Sequence, residues 1–508
     1  MPNRLRIAAA LSLAFALSAQ DPDPARIRKD VYALADPSME GRATGTEGHR
    51  KALKYLSQQF REAGLSPLPR PKSPGGADPY LLPYDLVRTR VDPAQSTVQI
   101  GKTSLKLGED ILTTRIHAAS GELFFIGYGI HAPELQWDDY AGLDLKGRWV
   151  AMWEGRPGSG EGANEAGWAR AGQTETKLDW ARKAGAAGCL FIQTRPDKEA
   201  GFGNMRLFLS RFVKRGQISI KGAAVRESQI IWMSAEAAKA LQLGLRPLAR
   251  PEPPRSLGAF TYVPKTDTEE IPAGNLVAVI PGVAPDLKDD FIVVSAHHDH
   301  LGREGGKLRP GADDNASGTA AILEIARLLK DSKPKRSILV LSVSGEEIGL
   351  WGSQAFVEAP PVPLSRIKAD INVDMVGRNT ADEFSVTPAR IEGAVGTLTR
   401  DARALASQQG IKLNLEADKY WTRSDHFTFA KRGIPSIFFF GGMHGDYHES
   451  TDTPDKIDFE KVARVVRLAR DLALQAANAA EQPKLLPKEV WTSWTWPLPL
   501  LPPVQTAH

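Results

Sequence analysis

Short apolar runs alternate with amphipathic segments through the second half of the chain. The runs NLVAVI, FIVVSA, SILVLSV, ADINVDM and PSIFFF are rich in β-branched or aromatic residues, which is typical of strands buried on both faces. In residues 316–329 and 459–474 apolar positions recur at helical spacing, and this spacing predicts helices with one buried face. The whole pattern predicts an α/β fold whose mostly parallel sheet is covered by helices on both faces.

The first half of the chain begins with two predicted helices, at residues 25–34 and 49–60. After them the pattern of strand-like and helical runs changes. Residues 95–257 contain the strand-like runs GELFFIGYGI and GRWVAMWEG, a helical segment KLDWARKAGAAG, and four prolines between positions 247 and 254. The alternation of strands and helices resumes only after these prolines. We therefore interpret residues 95–257 as a small β-rich domain inserted into a larger domain formed by residues 24–94 and 258–480.

The two ends of the chain have compositions of their own. Arg4 and Arg6 precede an apolar stretch and small residues through Ala19, the layout of a cleaved secretory signal in residues 1–19. A membrane anchor is the alternative, but the stretch is short for a span. Export to the periplasm or the exterior is therefore expected, with no transmembrane segment in the mature chain.

The C-terminal extension, residues 481–508, contains six prolines together with Trp491, Trp494 and Trp496. This composition predicts an extended strap over the surface without a helix, because prolines lack the backbone N–H group that a helix needs. A disordered tail or a segment that binds a partner are the alternatives.

The composition of the chain argues against some classes of function. The chain has 508 residues, with 64 Lys and Arg against 60 Asp and Glu and a net charge of only +4, which argues against nucleic-acid binding. Cys189 is the single cysteine, so neither an internal disulfide nor a cysteine zinc site can form. Its apolar surroundings predict a buried thiol.

Histidines and acids follow the predicted strands where these strands end, which is where open α/β sheets bind ligands. The strand FIVVSA runs into HHDH, and the two-residue period of a strand turns His297 and Asp299 to one side and His298 to the other. This spacing suits a metal-binding imidazole whose second ring nitrogen is held by a carboxylate.

Two pairs of neighbouring acids lie further along the chain. In GADDNASG, a carboxylate at a glycine-opened turn can bridge two metal ions, or residues 313–315 can instead cap the following helix. In SGEEIG, the two glutamates can form a solvated turn. Because adjacent side chains diverge, Glu346 and Glu347 can alternatively serve as a base and a metal ligand.

The remaining candidates are Asp374, inside the apolar run INVDMVGR, and the loop histidines His444 and His448. A buried carboxylate needs a partner, which a metal ion supplies. Two histidines and three carboxylates around two divalent ions and one hydroxide give a neutral site. Imidazole and carboxylate ligands without thiolate suit zinc, with manganese or cobalt possible.

The series SAHHDH, GADDNASG, SGEEIGLWGS, NVDMVGR and YHESTDTPDKID closely resembles the co-catalytic zinc exopeptidases of the bacterial secreted aminopeptidase and glutamate carboxypeptidase type. MEGRATGTEGHR resembles the opening segment of that family. The runs FIGYGI, WDDYAGLDLKGRWVAM and KAGAAGCLFI resemble the protease-associated domain that many members carry as an insert. The resemblance covers most of the mature chain except the Trp/Pro-rich extension.

This resemblance implies a role for each matching residue. His297 and Asp374 would hold one zinc ion, Glu347 and His448 the other, and Asp313 would bridge the two. Glu346 would be the general base and Asp299 the partner of His297. A cis peptide bond is expected between Asp313 and Asp314, and TRSDHFTF makes Trp421 a candidate wall of the substrate pocket.

The resemblance also implies an activity, the hydrolysis of peptides at a chain terminus by a water molecule that two zinc ions share. We expect an aminopeptidase. A carboxypeptidase of the same family would need a cationic site for the terminal carboxylate, for which Arg378 and Arg423 are candidates. Cyclisation of N-terminal glutamine and a non-catalytic receptor on the same fold are further alternatives, but every ligand position is filled.

Overall fold

A computed structural model describes residues 20–69, 78–157, 165–194, 202–224, 227–243, 253–381 and 383–493. The predicted signal peptide and residues 494–508 of the C-terminal extension lie outside these residues. The chain folds as two compact units: Leu86–Ile271 forms one, and the residues up to Asp85 and from Pro272 form the other. The predicted insert of residues 95–257 lies within Leu86–Ile271. That this unit is a protease-associated domain stays a prediction.

The first unit is built on a mostly parallel sheet, as the sequence predicts. Four of the six pairings between its neighbouring main strands are parallel, and the short strand Ser66–Pro67 adds one antiparallel pairing to the strand Arg255–Ile280. In spatial order the main strands are Lys412–Asn414, Glu383–Thr387, Ser436–Phe440, Ile367–Asp374, Phe291–His297, Ser337–Val343 and the last part of Arg255–Ile280.

Helices cover both faces of this sheet, because alternate strand residues belong to two different apolar clusters. Ile292 and Val294 pack in one cluster, and Val293 between them packs in the other. The helices against the first cluster are Pro24–Leu34, Glu47–Glu62, Gly318–Leu329, Thr397–Gln408 and Phe459–Asn478, and those against the second are Trp351–Glu358 and His426–Ala430. The four helices predicted for this unit are confirmed with small shifts at their ends.

Polar side chains set where several of these helices begin. The side chains of Asp23, Thr46 and Asp458 accept the backbone N–H groups of Ala25, His49 and Lys461, which have no partner inside the helix. Shorter elements connect the rest: the helical turns Pro37–Arg42, Leu364–Arg366, Ala417–Tyr420 and Pro454–Lys456, and the hairpin Gly302–Glu304 with Lys307–Arg309.

Arg42 holds together the loops that follow the strand Phe291–His297. Its buried guanidinium donates to the carbonyl oxygens of Leu34 at 2.6 Å, His298 at 2.8 Å, Pro310 at 2.7 Å and Gly311 at 2.8 Å. Burial lowers the pKa of Arg42 to about 10, so the side chain is still protonated at neutral pH. These bonds fix the backbone around the carboxyl end of the strand.

The second unit contains parallel and antiparallel strand pairings and three apolar clusters among its described residues. Its strands are Leu81–Ile100 from residue 86 onward, Thr103–Leu105, Ile111–Leu112, Ala119–Phe125, Trp149–Trp153, Gly188–Ile192, Gln217–Ile220, Ile230–Met233 and the first part of Arg255–Ile280, with a separate ladder of His131–Ala132 and Trp137–Asp138. Its helices are Glu165–Ala171, Thr174–Lys183, Phe202–Arg215 and Ala235–Ala240, and a helical turn spans Pro133–Leu135. Cys189 is a buried free thiol, as predicted.

The described part of the C-terminal extension corrects one prediction. Residues 484–486 are extended and pair with the backbone of Val395 and Thr397, but Lys488–Trp491 forms a short helix. No proline lies between Pro487 and Pro497, so nothing prevents one helical turn there. Among the helices of the described residues, none has the length and apolar character needed to cross a membrane.

Lys177 is an unusual buried cation in the second unit. Its ammonium group donates to the carbonyl oxygen of Trp153 at 2.9 Å and to that of Gly155. Burial lowers the pKa of Lys177 from 10.5 to about 7. The negative charges of Asp139 and Glu154 act in the opposite direction and raise this pKa, but by less than burial lowers it. Between these two values the unfolded chain binds a proton that the folded unit has lost, so the lysine makes stability rise with pH.

We expect the free energy of unfolding of the second unit to rise from about pH 7 to about pH 8.5 more steeply in the wild type than in Lys177→Met. Chemical denaturation at several pH values, followed by tryptophan fluorescence, measures the two slopes. Lys183→Met is the matched control, because the Lys183 side chain is 72% exposed. Equal slopes in the wild type and Lys177→Met would contradict the lowered pKa.

Candidate metal centre

The carboxyl ends of neighbouring parallel strands bring two of the predicted ligands together. His297 ends the strand Phe291–His297 and Asp374 ends the strand Ile367–Asp374. The Nε2 atom of His297 lies 3.3 Å from Oδ1 of Asp374 and 3.5 Å from Oδ1 of Asp314. These three buried side chains can hold one metal ion.

A second group forms around Glu347. The Nε2 atom of His448 lies 3.1 Å from Oε2 of Glu347 and 3.2 Å from Oδ2 of Asp314. On the other side, Nδ1 of His300 lies 2.7 Å from Oε1 of Glu347 and 3.7 Å from Oδ2 of Asp314. Asp314 therefore presents one oxygen to each group, which is the arrangement of a carboxylate shared by two ions.

This geometry corrects the assignment of Asp313 as the bridging residue. Oδ1 of Asp313 accepts the backbone N–H of Gly377 at 2.6 Å, and Oδ2 lies 3.2 Å from Nε2 of His444. Adjacent side chains leave the turn in different directions, so only one of the two aspartates faces both groups. The cis peptide bond likewise joins Asp314 to Asn315, one bond later than predicted.

Asp452 holds this turn in place. Its carboxylate accepts the backbone N–H groups of Asp313 and Asp314, each at 3.1 Å, and its carbonyl oxygen accepts that of Ala312 at 3.1 Å. Asp452 follows His448 by four residues on the same loop. The loop that carries His448 is thereby bound to the turn that carries Asp314.

Glu346 lies beside the first group, with Oε2 at 4.0 Å from Nε2 of His297. Burial raises the pKa of Glu346 well above that of a free glutamate; the positive charge of His297 opposes this shift, and the negative charges of Glu347 and Asp374 add to it. A carboxylate with a raised pKa can take up a proton near neutral pH. The structure therefore places a buried carboxylate beside the first group, and the role of Glu346 as the base stays a prediction.

The carboxylate of Asp299 makes shorter contacts with other groups than with the imidazole predicted for it. Oδ2 accepts the hydroxyl of Thr44 at 2.8 Å, and Oδ1 accepts the backbone N–H of Glu346 at 3.3 Å. Nδ1 of His297 lies 3.6 Å from Oδ1 of Asp299 and 3.2 Å from its carbonyl oxygen. Asp299 therefore links His297 to the backbone of the candidate base.

The two groups fit divalent cations. Within the described residues, several buried polar atoms of these groups have no hydrogen-bond partner: Asp314 Oδ2, Glu347 Oε1, His448 Nε2 and both ring nitrogens of His300. Burying such atoms without partners is costly, and a cation between them removes the cost. The mixture of imidazole and carboxylate ligands without thiolate suits zinc.

Trp421 lies against His426, with ring centroids 4.8 Å apart, and lines a cavity of about 200 Å³ together with Phe427, Lys431 and Leu485. The described residues that line this cavity include none of the ligand candidates. A role for Trp421 as a wall of the substrate pocket stays a prediction.

His300 and Asp452 were not among the site residues predicted from the sequence, and Asp314 was named only as one of three residues that can alternatively cap the following helix. His300 follows the end of its strand, so the two-residue period does not predict its direction. Asp452 acts through backbone N–H groups that are 138 and 139 residues away. The available signal for His300 was the third histidine in HHDH.

Comparison with known proteins supports the peptidase resemblance. Residues 275–473 match the model of peptidase family M28. We call these residues the M28 segment. It contains all the ligand candidates named above.

Two curated relatives of this chain carry peptidase names. Aminopeptidase YwaD of Bacillus subtilis (strain 168) is 28% identical over 209 residues, which cover 40% of this chain and 44% of that protein. A probable zinc metalloprotease of Pyrenophora tritici-repentis (strain Pt-1C-BFP) is 28% identical over 218 residues, which cover 34% of this chain and 45% of that protein. The chain thus spans about half the length of the curated relatives it matches.

A solved structure supports the fold over a longer region. The aminopeptidase from Aneurinibacillus sp. strain AM-1 aligns with 91% of this chain and 96% of its own, with a TM-score of 0.51 and 21% identity. At this identity the likeness establishes the fold alone, and it extends beyond the M28 segment.

The two neighbouring aspartates of this M28 segment allow a matched test of the shared ligand. We expect Asp314→Asn to weaken the binding of both zinc ions, since one oxygen faces each group, whereas Asp313→Asn should keep both ions. Metal content after dialysis, measured by mass spectrometry, reports the number retained. Loss of both ions from Asp313→Asn, with both kept in Asp314→Asn, would restore the original assignment.

Proposed function

We propose that this protein is a zinc-dependent aminopeptidase that removes N-terminal residues from peptides. The observation that carries the proposal is the position of Asp314 between two groups of buried ligands, with Glu346 next to one of them. The names of the relatives, an aminopeptidase and a probable zinc metalloprotease, support the same activity.

In this proposal His297 and Asp374 hold the first zinc ion, Glu347 and His448 hold the second, and Asp314 contacts both. Bound zinc supplies a Lewis acid for the scissile carbonyl group and lowers the pKa of water. Five buried or partly buried side chains from five separate segments of the chain converge to provide this ligand set. A non-catalytic receptor on the same fold is expected to have lost some of these ligands, whereas all five are present here.

Glu346 performs the proton transfers. Its carboxylate takes a proton from the attacking water molecule and then donates it to the amine that leaves. Burial raises the pKa of Glu346, which favours the uptake of a proton by its carboxylate. Asp299 fixes the base by accepting the backbone N–H of Glu346 while it also contacts His297, so the base keeps its position relative to the first ligand group.

A carboxypeptidase is the second candidate, and one observation favours it. Arg423 is exposed, and its Nη2 lies 3.3 Å from the hydroxyl of Tyr447, whose ring stacks on His448 at 3.7 Å. A guanidinium at this place can bind the terminal carboxylate of a peptide. Arg378 is less suited, because Asp446 already pairs with it at 2.8 Å.

Substrates with only one free terminus distinguish the two candidates. We expect hydrolysis of aminoacyl anilides, loss of that hydrolysis after treatment with a chelator, and recovery when zinc is added back. Dipeptides with a blocked amino group and a free carboxylate should not be cleaved. Cleavage of the blocked dipeptides alone would establish the carboxypeptidase, and activity that survives complete metal removal would contradict both.

The variant Glu346→Gln tests the base. We expect hydrolysis to fall by about 10²–10⁴-fold, because the amide cannot accept the proton, while both zinc ions stay bound. Glu358→Gln is the control, since Glu358 is exposed and contacts only Gln354 among the bonds described for it. Turnover of Glu346→Gln close to that of the control would contradict the assignment.

A further inference from the structure

His300 is buried next to the second ligand group, but the ligand set given above assigns it no role. Its side chain is fully buried, with 0% exposure, and its ring packs closely against Gly311. A β-carbon at Gly311 would lie 2.4 Å from Cγ of His300, and Gly311 has a φ of +59°. A glycine is therefore required there for the imidazole to take this position.

The ring of His300 is surrounded by atoms that lack partners. Its two nitrogens, Oε1 of Glu347 and Oδ2 of Asp314 are all buried, and none has a hydrogen-bond partner among the described residues. Yet Nδ1 lies 2.7 Å from the first oxygen and 3.7 Å from the second. Short distances without hydrogen-bonding geometry are what ligands around one cation show.

His448 approaches the same two carboxylates from the opposite side. It faces Oε2 of Glu347, whereas His300 faces Oε1, and the two imidazole rings are 5.8 Å apart at an angle of 67°. Glu347 is thus flanked by an imidazole at each oxygen. On the other side of Asp314, among the described residues that can hold the first ion, His297 is the single histidine.

We propose that His300 is a direct ligand of the second zinc ion, together with Asp314, Glu347 and His448. This inference rests on the metal pair of the proposed function. The second ion then has four protein ligands and the first has three: His297, Asp374 and Asp314. Because an ion with fewer protein ligands keeps more open positions for water and substrate, the second ion binds more tightly and the first is the more open one.

An orienting role is the competing explanation. A histidine that only donates a hydrogen bond to Glu347 would hold that ligand in place without touching the ion. The variants His300→Ala and His300→Gln separate the two roles, because a glutamine amide can donate a hydrogen bond but is a poor ligand for zinc.

The experiment titrates the full-length, metal-free protein with zinc against a chelating dye. The wild type should bind two ions in two steps of different affinity. Both His300 variants should weaken the tighter step by more than about 100-fold, beyond the range usual for an outer partner, and leave the other step within about threefold. With cobalt in place of zinc, the absorption spectrum of the tighter site should change in both variants.

His298→Gln is the matched control, because His298 lies in the same HHDH segment and is equally buried but contacts Oγ of Ser342 at 2.9 Å. Wild-type affinity in His300→Gln, an unchanged cobalt spectrum, or equal weakening in His298→Gln would overturn the inference. The failure of the proposed function gives a different result: the wild type itself would not bind two ions or would not hydrolyse aminoacyl anilides.

Discussion

Buried negative charge at one edge of a parallel sheet is the constraint on which this structure depends. Two strands and a turn bring Asp314, Asp374, Glu346 and Glu347 together, with little access to water. Carboxylates in such a place repel one another and lose their hydration. Divalent cations remove both penalties, and the same cations supply the Lewis acidity that peptide hydrolysis needs.

Hydrogen bonds to the surrounding backbone hold these charged side chains in position. Arg42 binds four carbonyl oxygens around the end of the strand Phe291–His297, and Asp452 binds the turn of Asp313 and Asp314. Arg42 is a cation that binds carbonyl oxygens, and Asp452 is an anion that binds backbone N–H groups. Together they hold loops that are far apart in sequence, so the ligand positions are prepared before an ion binds.

The sequence predicted the architecture well because that architecture follows from local periodicity. The strands ending at His297 and Asp374 are continuous apolar runs, and the helices 316–329 and 459–474 have one apolar stripe. The errors have a different physical origin. Which of Asp313 and Asp314 faces both groups depends on two hydrogen bonds: Gly377 N–H donates to Asp313, and Asp314 N–H donates to Asp452. No local pattern contains that information.

The positions of the assigned ligands can be checked directly by X-ray diffraction from zinc-loaded crystals at the zinc absorption edge. The account predicts two anomalous peaks about 3.5–4 Å apart, one on each side of the Asp314 carboxylate. The peak beside Glu347 should lie within bonding distance of the His448 ring. A single peak, or two peaks with Asp313 between them, would contradict the account.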